Sequence, residues 1–103
     1  MNLFFEWDNH KAVTNLRKHG VSFELARRVF ADPNALSRQD RIENGEYRWQ
    51  TIGKIEGQLV LLVAHTVQDH FDGEIIRIIS ARRATSQEKR QYEKHCSFTT
   101  RLN

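Results

Sequence analysis

Residues 75–85 read IIRIISARRAT, an apolar run interrupted by Arg77 and ended by Arg82 and Arg83. A guanidinium is costly to bury unless it is paired. These arginines therefore either anchor the fold through carboxylates or hold an anion from outside the chain. The guanidinium fork matches phosphate, and several such forks together could stabilise charge building on a phosphorus centre. If the strand stays regular, alternation puts Arg77 and Arg83 on one face and Arg82 on the other.

Chemistry at a phosphate also needs proton transfer, and three residues are candidates. His65 interrupts an apolar run and has an ordinary pKa near neutrality, although a histidine there is more often a satisfied core residue. Glu46 and Arg48 share the polar face of an alternating segment, which any solvent-facing strand would also show. Tyr92 lies four residues after Glu88 on one helical face, where its ring can pack and its hydroxyl can reach outward. The five histidines and the one cysteine, Cys96, form no metal-ligand spacing, so neither a metal nor another cofactor is expected. There is no phosphate-cradling glycine loop, and Cys96 has no setting that would make it a nucleophile.

The elements that must position these side chains follow from pattern. Residues 3–7 read as a strand. Asp8 caps a helix over 9–18 that Gly20 closes, and Ser22 caps a second over 23–31 that Pro33 stops. Residues 35–39 form a weak strand and 46–53 an alternating one. Residues 58–67 suit a central strand covered on both faces, and 75–81 a last one. Residues 54–57 suit a hairpin loop and 68–73 a looser one. Thr85 and Glu88 make a capping box for a final helix over 86–95. The order β-α-α-β-β-β(-β)-α predicts an α+β fold with an antiparallel sheet and its helices on one side.

A chain of 103 residues fits one domain, 1–103, with 96–103 as a tail of weak pattern. Residues 1–46 balance seven basic against seven acidic side chains, whereas 47–103 hold nine against six, so the excess charge of +3 lies in the second part. A mildly basic half suits contact with a polyanion. The lone cysteine suits a reducing compartment, and there is no leader or membrane-length apolar run, so the expected location is cytoplasmic.

The ordered landmarks FEWD (5–8), NLRKHGVSFELA (15–26), VFADPNAL (29–36), GEYRWQTIG (45–53), IRIISARRAT (76–85) and RQYE (90–93) resemble the BrnT toxins of bacterial type II toxin–antitoxin systems. The resemblance implies a compact RelE-like fold and a metal-independent ribonuclease that blocks translation. It implies a BrnA-like ribbon-helix-helix antitoxin, a heterotetrameric complex, and contact with DNA only through that partner, in repression of the shared operon. The alternative is a catalytically weak binding module that acts with its antitoxin. On the ribonuclease reading Arg77, Arg82, Arg83, His65, Glu46 and Tyr92 are the catalytic candidates, and Arg48, Lys89 and Arg90 the RNA-binding ones. Ser86 and Gln87 stand where the family pattern is richer in arginine.

Overall fold

The computed structural model describes residues 2–102, with side-chain surroundings for residues 2–96. The chain opens with β1 (Asn2–Glu6) and α1 (Asn9–His19). Asp8 accepts from the His10 N–H at 2.9 Å, and Gly20, at φ 71°, closes the helix by donating to the Leu16 carbonyl at 2.8 Å. Only a residue without a side chain enters that left-handed conformation freely, so glycine here ends the helix cleanly. Ser22 then caps α2 (Phe23–Ala26), accepting from the Leu25 N–H. The expected helix over 23–31 is α-helical only to Ala26. Residues Arg27–Ala31 tighten into a 3-10 turn, a common way to finish a short helix before proline.

Four strands follow: β2 (Leu36–Glu43), β3 (Glu46–Glu56), β4 (Leu59–His70) and β5 (Gly73–Arg83). They pair antiparallel in sequence, as alternation and short turns predict. β4 and β5 run longer than expected, leaving Phe71 and Asp72 as a tight connection where a loose loop was expected. The sheet order is β1-β5-β4-β3-β2, and β1 joins the edge parallel to β5, from Asn2 opposite Gly73 to Glu6 opposite Arg77. That pairing departs from an all-antiparallel sheet. It joins residues about 70 positions apart, and the local pattern of residues 3–7 holds no information about it. The last element is α3 (Ser86–Leu102), which continues past residue 95; side chains of the expected tail from 97 onward lie outside the described residues.

The helices do not share one side of the sheet. One face carries Leu61, Val63, Ile76, Ile78 and Ala81 and packs against Val21, Phe23, Ala26 and Val29 of the first helical layer. The other carries Ile52, Val60 and Leu62, which pack against Tyr92 of α3. The run at 59–64 is thus continuously apolar because both faces are covered there. α3 covers only one end of its face, and the remainder is open.

Alternation along β5 is interrupted. Ala64 pairs with Ser80 and His65 with Ile78, so Ile79 is an extra residue, a β-bulge. Asn15 of α1 fastens the chain just beyond it. Its amide donates to the Ala81 carbonyl at 2.8 Å and to the Val21 carbonyl at 2.9 Å, and its Oδ1 accepts from the Ala81 N–H at 3.0 Å. A buried asparagine with three satisfied bonds holds both the helix and the bulge in place.

Candidate nucleic-acid interface

The bulge decides which arginines meet. Residues 76, 78, 81 and 83 lie on the face of the first helical layer, while Arg77, Ser80 and Arg82 lie on the open face. Arg82 pairs across with Leu62, whose side chain packs beside α3; Arg83 pairs with Leu61, whose side chain faces the other layer. The expectation that Arg77 and Arg83 share a face is therefore reversed. It assumed a regular strand, and the extra residue inverts the alternation.

Arg82 holds Glu88 in the first turn of α3 by two N–H···O bonds of 2.8 and 3.0 Å, and also donates to the Arg83 carbonyl. Glu88 completes the capping box: it accepts from the Thr85 N–H at 2.8 Å, and its own N–H donates to Thr85 Oγ1 at 3.2 Å. The Arg82 bonds hold the Glu88 carboxyl down at about pKa 2, and the Glu88 carboxylate in turn raises the Arg82 pKa. Both groups therefore stay charged through the neutral range. Arg77 makes a comparable but more exposed bond to Glu6 of β1 at 3.1 Å.

Further arginines project from β2 and β3 onto the same open face. Arg38 lies opposite Gln50, and Arg41 lies opposite Arg48 across a register shift at residue 40. Two cations directly opposite each other on a sheet destabilise it unless a counter-charge intervenes. Glu43 supplies one, 3.3 Å from Arg41 and 3.7 Å from Arg48. The Arg48 side chain is only 18 % exposed, and its Nε is buried without a hydrogen-bond partner among the described residues. Arg38 escapes the sequence reading because the strand over 35–39 is too weakly patterned to assign a face, and Arg41 because that strand continues to Glu43. The shift at residue 40 breaks the alternation that would have extended it.

Between this stripe and α3 lies a small cleft lined by Leu36, Ile52, Leu62 and Tyr92, with Arg38, Gln50, Glu88 and Gln91. The Tyr92 hydroxyl does not open into solvent. It donates to Asp32 Oδ2, in the segment before β2. Burial raises the Tyr92 pKa, and the bond to the Asp32 carboxylate raises it further. Burial opposes ionisation of Asp32, but bonds from Tyr92, the Lys54 N–H and the Asn34 N–H outweigh it and lower the pKa. Tyr92 is a strut between α3 and the rim of the sheet. Its hydroxyl is ill placed to move a proton for a substrate.

His65 lies on the opposite face, 2 % exposed, with its ring edge-on to Phe30 at 4.9 Å. A carbonyl only accepts, so Nδ1 carries the proton toward the Thr66 carbonyl at 3.3 Å, and Nε2 accepts from Thr51 Oγ1 at 2.7 Å. Thr51 in turn is 2.7 Å from Ser37 Oγ. Burial pushes the His65 pKa down to about 4. The structure thus makes His65 a satisfied core histidine, on the sheet face opposite Arg77 and Arg82. Glu46 is exposed at the start of β3, opposite Glu43. Lys89 and Arg90 follow Glu88 on α3 but do not line the cleft. Among the described residues no three His, Cys, Asp or Glu side chains converge as metal ligands, and no helix is long and apolar enough to cross a membrane.

An open basic sheet face beside a terminal helix limits what the chain can do without naming it. A sequence model described as the ribonuclease toxin BrnT of type II toxin–antitoxin systems matches residues 7–88. The chain belongs to the BrnT family. The matched span runs from the end of β1 to Glu88, so it contains every arginine of the open face. The fold is similar to the crystal structure of the Brucella abortus ribonuclease toxin BrnT, at 24 % identity and TM-score 0.58, over 84 % of this chain and 100 % of that one. No curated protein sequence matches the chain. Membership of a type II toxin family implies an antitoxin as partner.

Proposed function

We propose that this BrnT-family chain is a metal-independent endoribonuclease whose open sheet face binds and cuts RNA. The observation that carries the reading is the placement of Arg38, Arg41, Arg48, Arg77 and Arg82 on that one face, with Arg82 and Arg38 next to the start of α3. The RNA 2′-hydroxyl oxygen attacks the adjacent phosphorus, its proton passes to solvent base, and the bond to the 5′-oxygen breaks. That oxygen takes a proton, so the products are a 2′,3′-cyclic phosphate and a 5′-hydroxyl.

Arg82 stabilises the charge that gathers on the phosphate, pre-oriented by Glu88, and donors of this kind contribute about 3–4 kcal/mol each. Arg77 assists from the same face, while Arg48, with Arg38 and Arg41, grips flanking phosphates. Arg83, on the other face at the strand end, and Lys89 and Arg90 on α3 supply longer-range attraction. Glu46 borders the hairpin end of the face. A guanidinium keeps its charge across the neutral range, so the arginines contribute through charge rather than through proton transfer.

A BrnA-like ribbon-helix-helix antitoxin neutralises this surface in the cytoplasm, as a heterotetramer that touches DNA only through the antitoxin. The deciding experiment incubates the purified toxin with a defined RNA, with and without EDTA. We expect cleavage to persist with EDTA, to give cyclic phosphate ends, and to fail on RNA with 2′-deoxyribose at the scissile position. Arg82→Ala should slow it by about 10²–10³-fold. Loss of cleavage with EDTA, or cleavage of the deoxy substrate, overturns the mechanism.

A second reading has its own support. Arg82, Arg77, Arg41 and Arg48 each already face a carboxylate of the chain. A module whose arginines are internally neutralised could bind its antitoxin and act in operon repression without cutting RNA. The same assay, with no cleavage by folded wild-type protein, would establish that alternative.

A further inference from the structure

We propose that the cleft between α3 and the sheet is a nucleobase pocket, with the base lying against Leu36 above Ile52, Leu62 and Tyr92 and its phosphate held by Arg38 and Arg48. This deepens the ribonuclease reading by naming the subsite that would choose among nucleotides. The floor is apolar: Leu36 is 40 % exposed, with the nearly buried Ile52, Leu62 and Tyr92 beneath it, and a flat ring that covers this floor gains burial.

The rim has the polarity needed to read a base edge. Arg38 donates to Gln50 Oε1 at 3.2 Å from NH2 and 3.4 Å from Nε. A guanidinium only donates, so the Gln50 oxygen must face it, and the Gln50 N–H2 group is turned away with no partner among the described residues. Glu88 adds a permanently ionised acceptor, and Gln91, exposed on α3, offers both a donor and an acceptor. Donors and acceptors around an apolar floor suit an unstacked base better than an aliphatic side chain, which would leave them unused.

The charge beside the cleft supplies the second, independent observation. Arg38 belongs both to the cleft wall and to the arginine stripe. Two positions along β3 from Gln50, Arg48 holds a buried Nε that nothing among the described residues satisfies. A buried donor without an acceptor is costly, and a phosphate oxygen would relieve it. A flat apolar group joined to an anion describes a nucleotide.

The test is a methyl NMR titration of the folded chain with each of the four nucleoside 3′-monophosphates, and with ribose 5-phosphate as a base-free control. The methyl resonances of Leu36, Ile52 and Leu62 should move with at least one nucleotide and stay fixed with ribose phosphate. The preferred nucleotide should bind at least about fivefold tighter than the control, as burial of about 40 Å² of apolar surface requires. Leu36→Trp, at a half-exposed rim position, should fill the cleft, abolish the methyl shifts and redistribute cleavage sites on a long RNA. Gln91→Ala, on the exposed side of α3, should alter the ranking of the four bases without loss of fold. Equal affinity for ribose phosphate and nucleotides would overturn the base pocket and leave a phosphate site. Methyl shifts produced by an antitoxin peptide but by no nucleotide would also overturn it and make the cleft a protein-docking surface. Nucleotide binding with no RNA cleavage would uphold the pocket and sink the ribonuclease reading alone.

Discussion

Arg82 and Glu88 join the end of β5 to the start of α3 through paired bonds of 2.8 and 3.0 Å, while Glu88 also caps the helix. One carboxylate thus orients the arginine and fixes the element that walls the cleft. Glu88→Gln should therefore lower RNA cleavage, by misplacing Arg82, and should also fray the first turn of α3. Solvent reaches the pair, since Arg82 is 38 % exposed, so the stability loss should be on the order of 1 kcal/mol. Single-turnover cleavage and thermal melting of the same variant check the two effects separately.

Stability should fall on acidification in two steps. The His65 pKa is about 4 in the folded chain against 6.5 for a free histidine, so the unfolded chain binds more protons between those values. Its contribution is complete above pH 6.5 and is lost as pH falls toward 4. Glu88, at about 2 against 4.5, contributes fully above pH 4.5 and loses its contribution as pH falls toward 2. Melting temperature measured from pH 2 to 8 should show both phases, and Glu88→Gln should remove the lower one.

His65→Gln should test the core role directly. It should remove the upper phase, destabilise by about 1–3 kcal/mol at pH 7 through the disturbed Thr51 and Thr66 contacts, and leave the cleavage rate of the folded fraction within about threefold. A hundredfold fall in rate with unchanged melting would restore His65 as a catalytic group.

The charge on the open face should appear in salt dependence. Arg48→Ala should make the slope of log affinity for single-stranded RNA against log salt shallower by about 0.7, the loss of one phosphate contact. Arg83→Ala, on the other face, should change it by much less. Filter binding across a salt series with unrelated RNA sequences checks both.

Gly53 is a packing constraint rather than a turn. A Cβ there would lie 2.8 Å from Val29 Cγ1 and 3.1 Å from the Val29 carbonyl oxygen. Gly53→Ala should push the 3-10 turn from the sheet and cost about 1–3 kcal/mol. Chemical denaturation measures it.

Much of the fold is legible because its signals are local. Asp8, Gly20, Ser22 and the Thr85–Glu88 box fix helix ends through bonds to neighbours in sequence, and the 59–64 run announces a doubly covered strand. The parallel seat of β1 is not legible, since it depends on a partner about 70 residues away. The candidate site was legible in residue type more than in placement. Arg77 and Arg82 stood out as candidates by type, but their shared face depends on Ile79, an apolar residue that reads as one more member of the strand. His65 misled for a related reason. Its neutral reference pKa suits catalysis, yet burial beneath Phe30 and the Thr51 hydroxyl make it part of the core. Arg38 and Arg41 were missed because an edge strand with eight mostly exposed residues gives little hydrophobic pattern.

Ile79 acts as a parity switch for everything after it in β5. Drawing it into the ladder as a paired residue would turn the end of the strand over, carrying Arg82 to the face of the first helical layer and Arg83 to the open face. Because the two neighbours are chemically identical, the open face would receive a guanidinium in either frame. The arginine doublet thus makes the face tolerant of a one-residue slip, and the cost of a slip would fall on Asn15, whose three bonds recognise the backbone at Ala81 in only one frame.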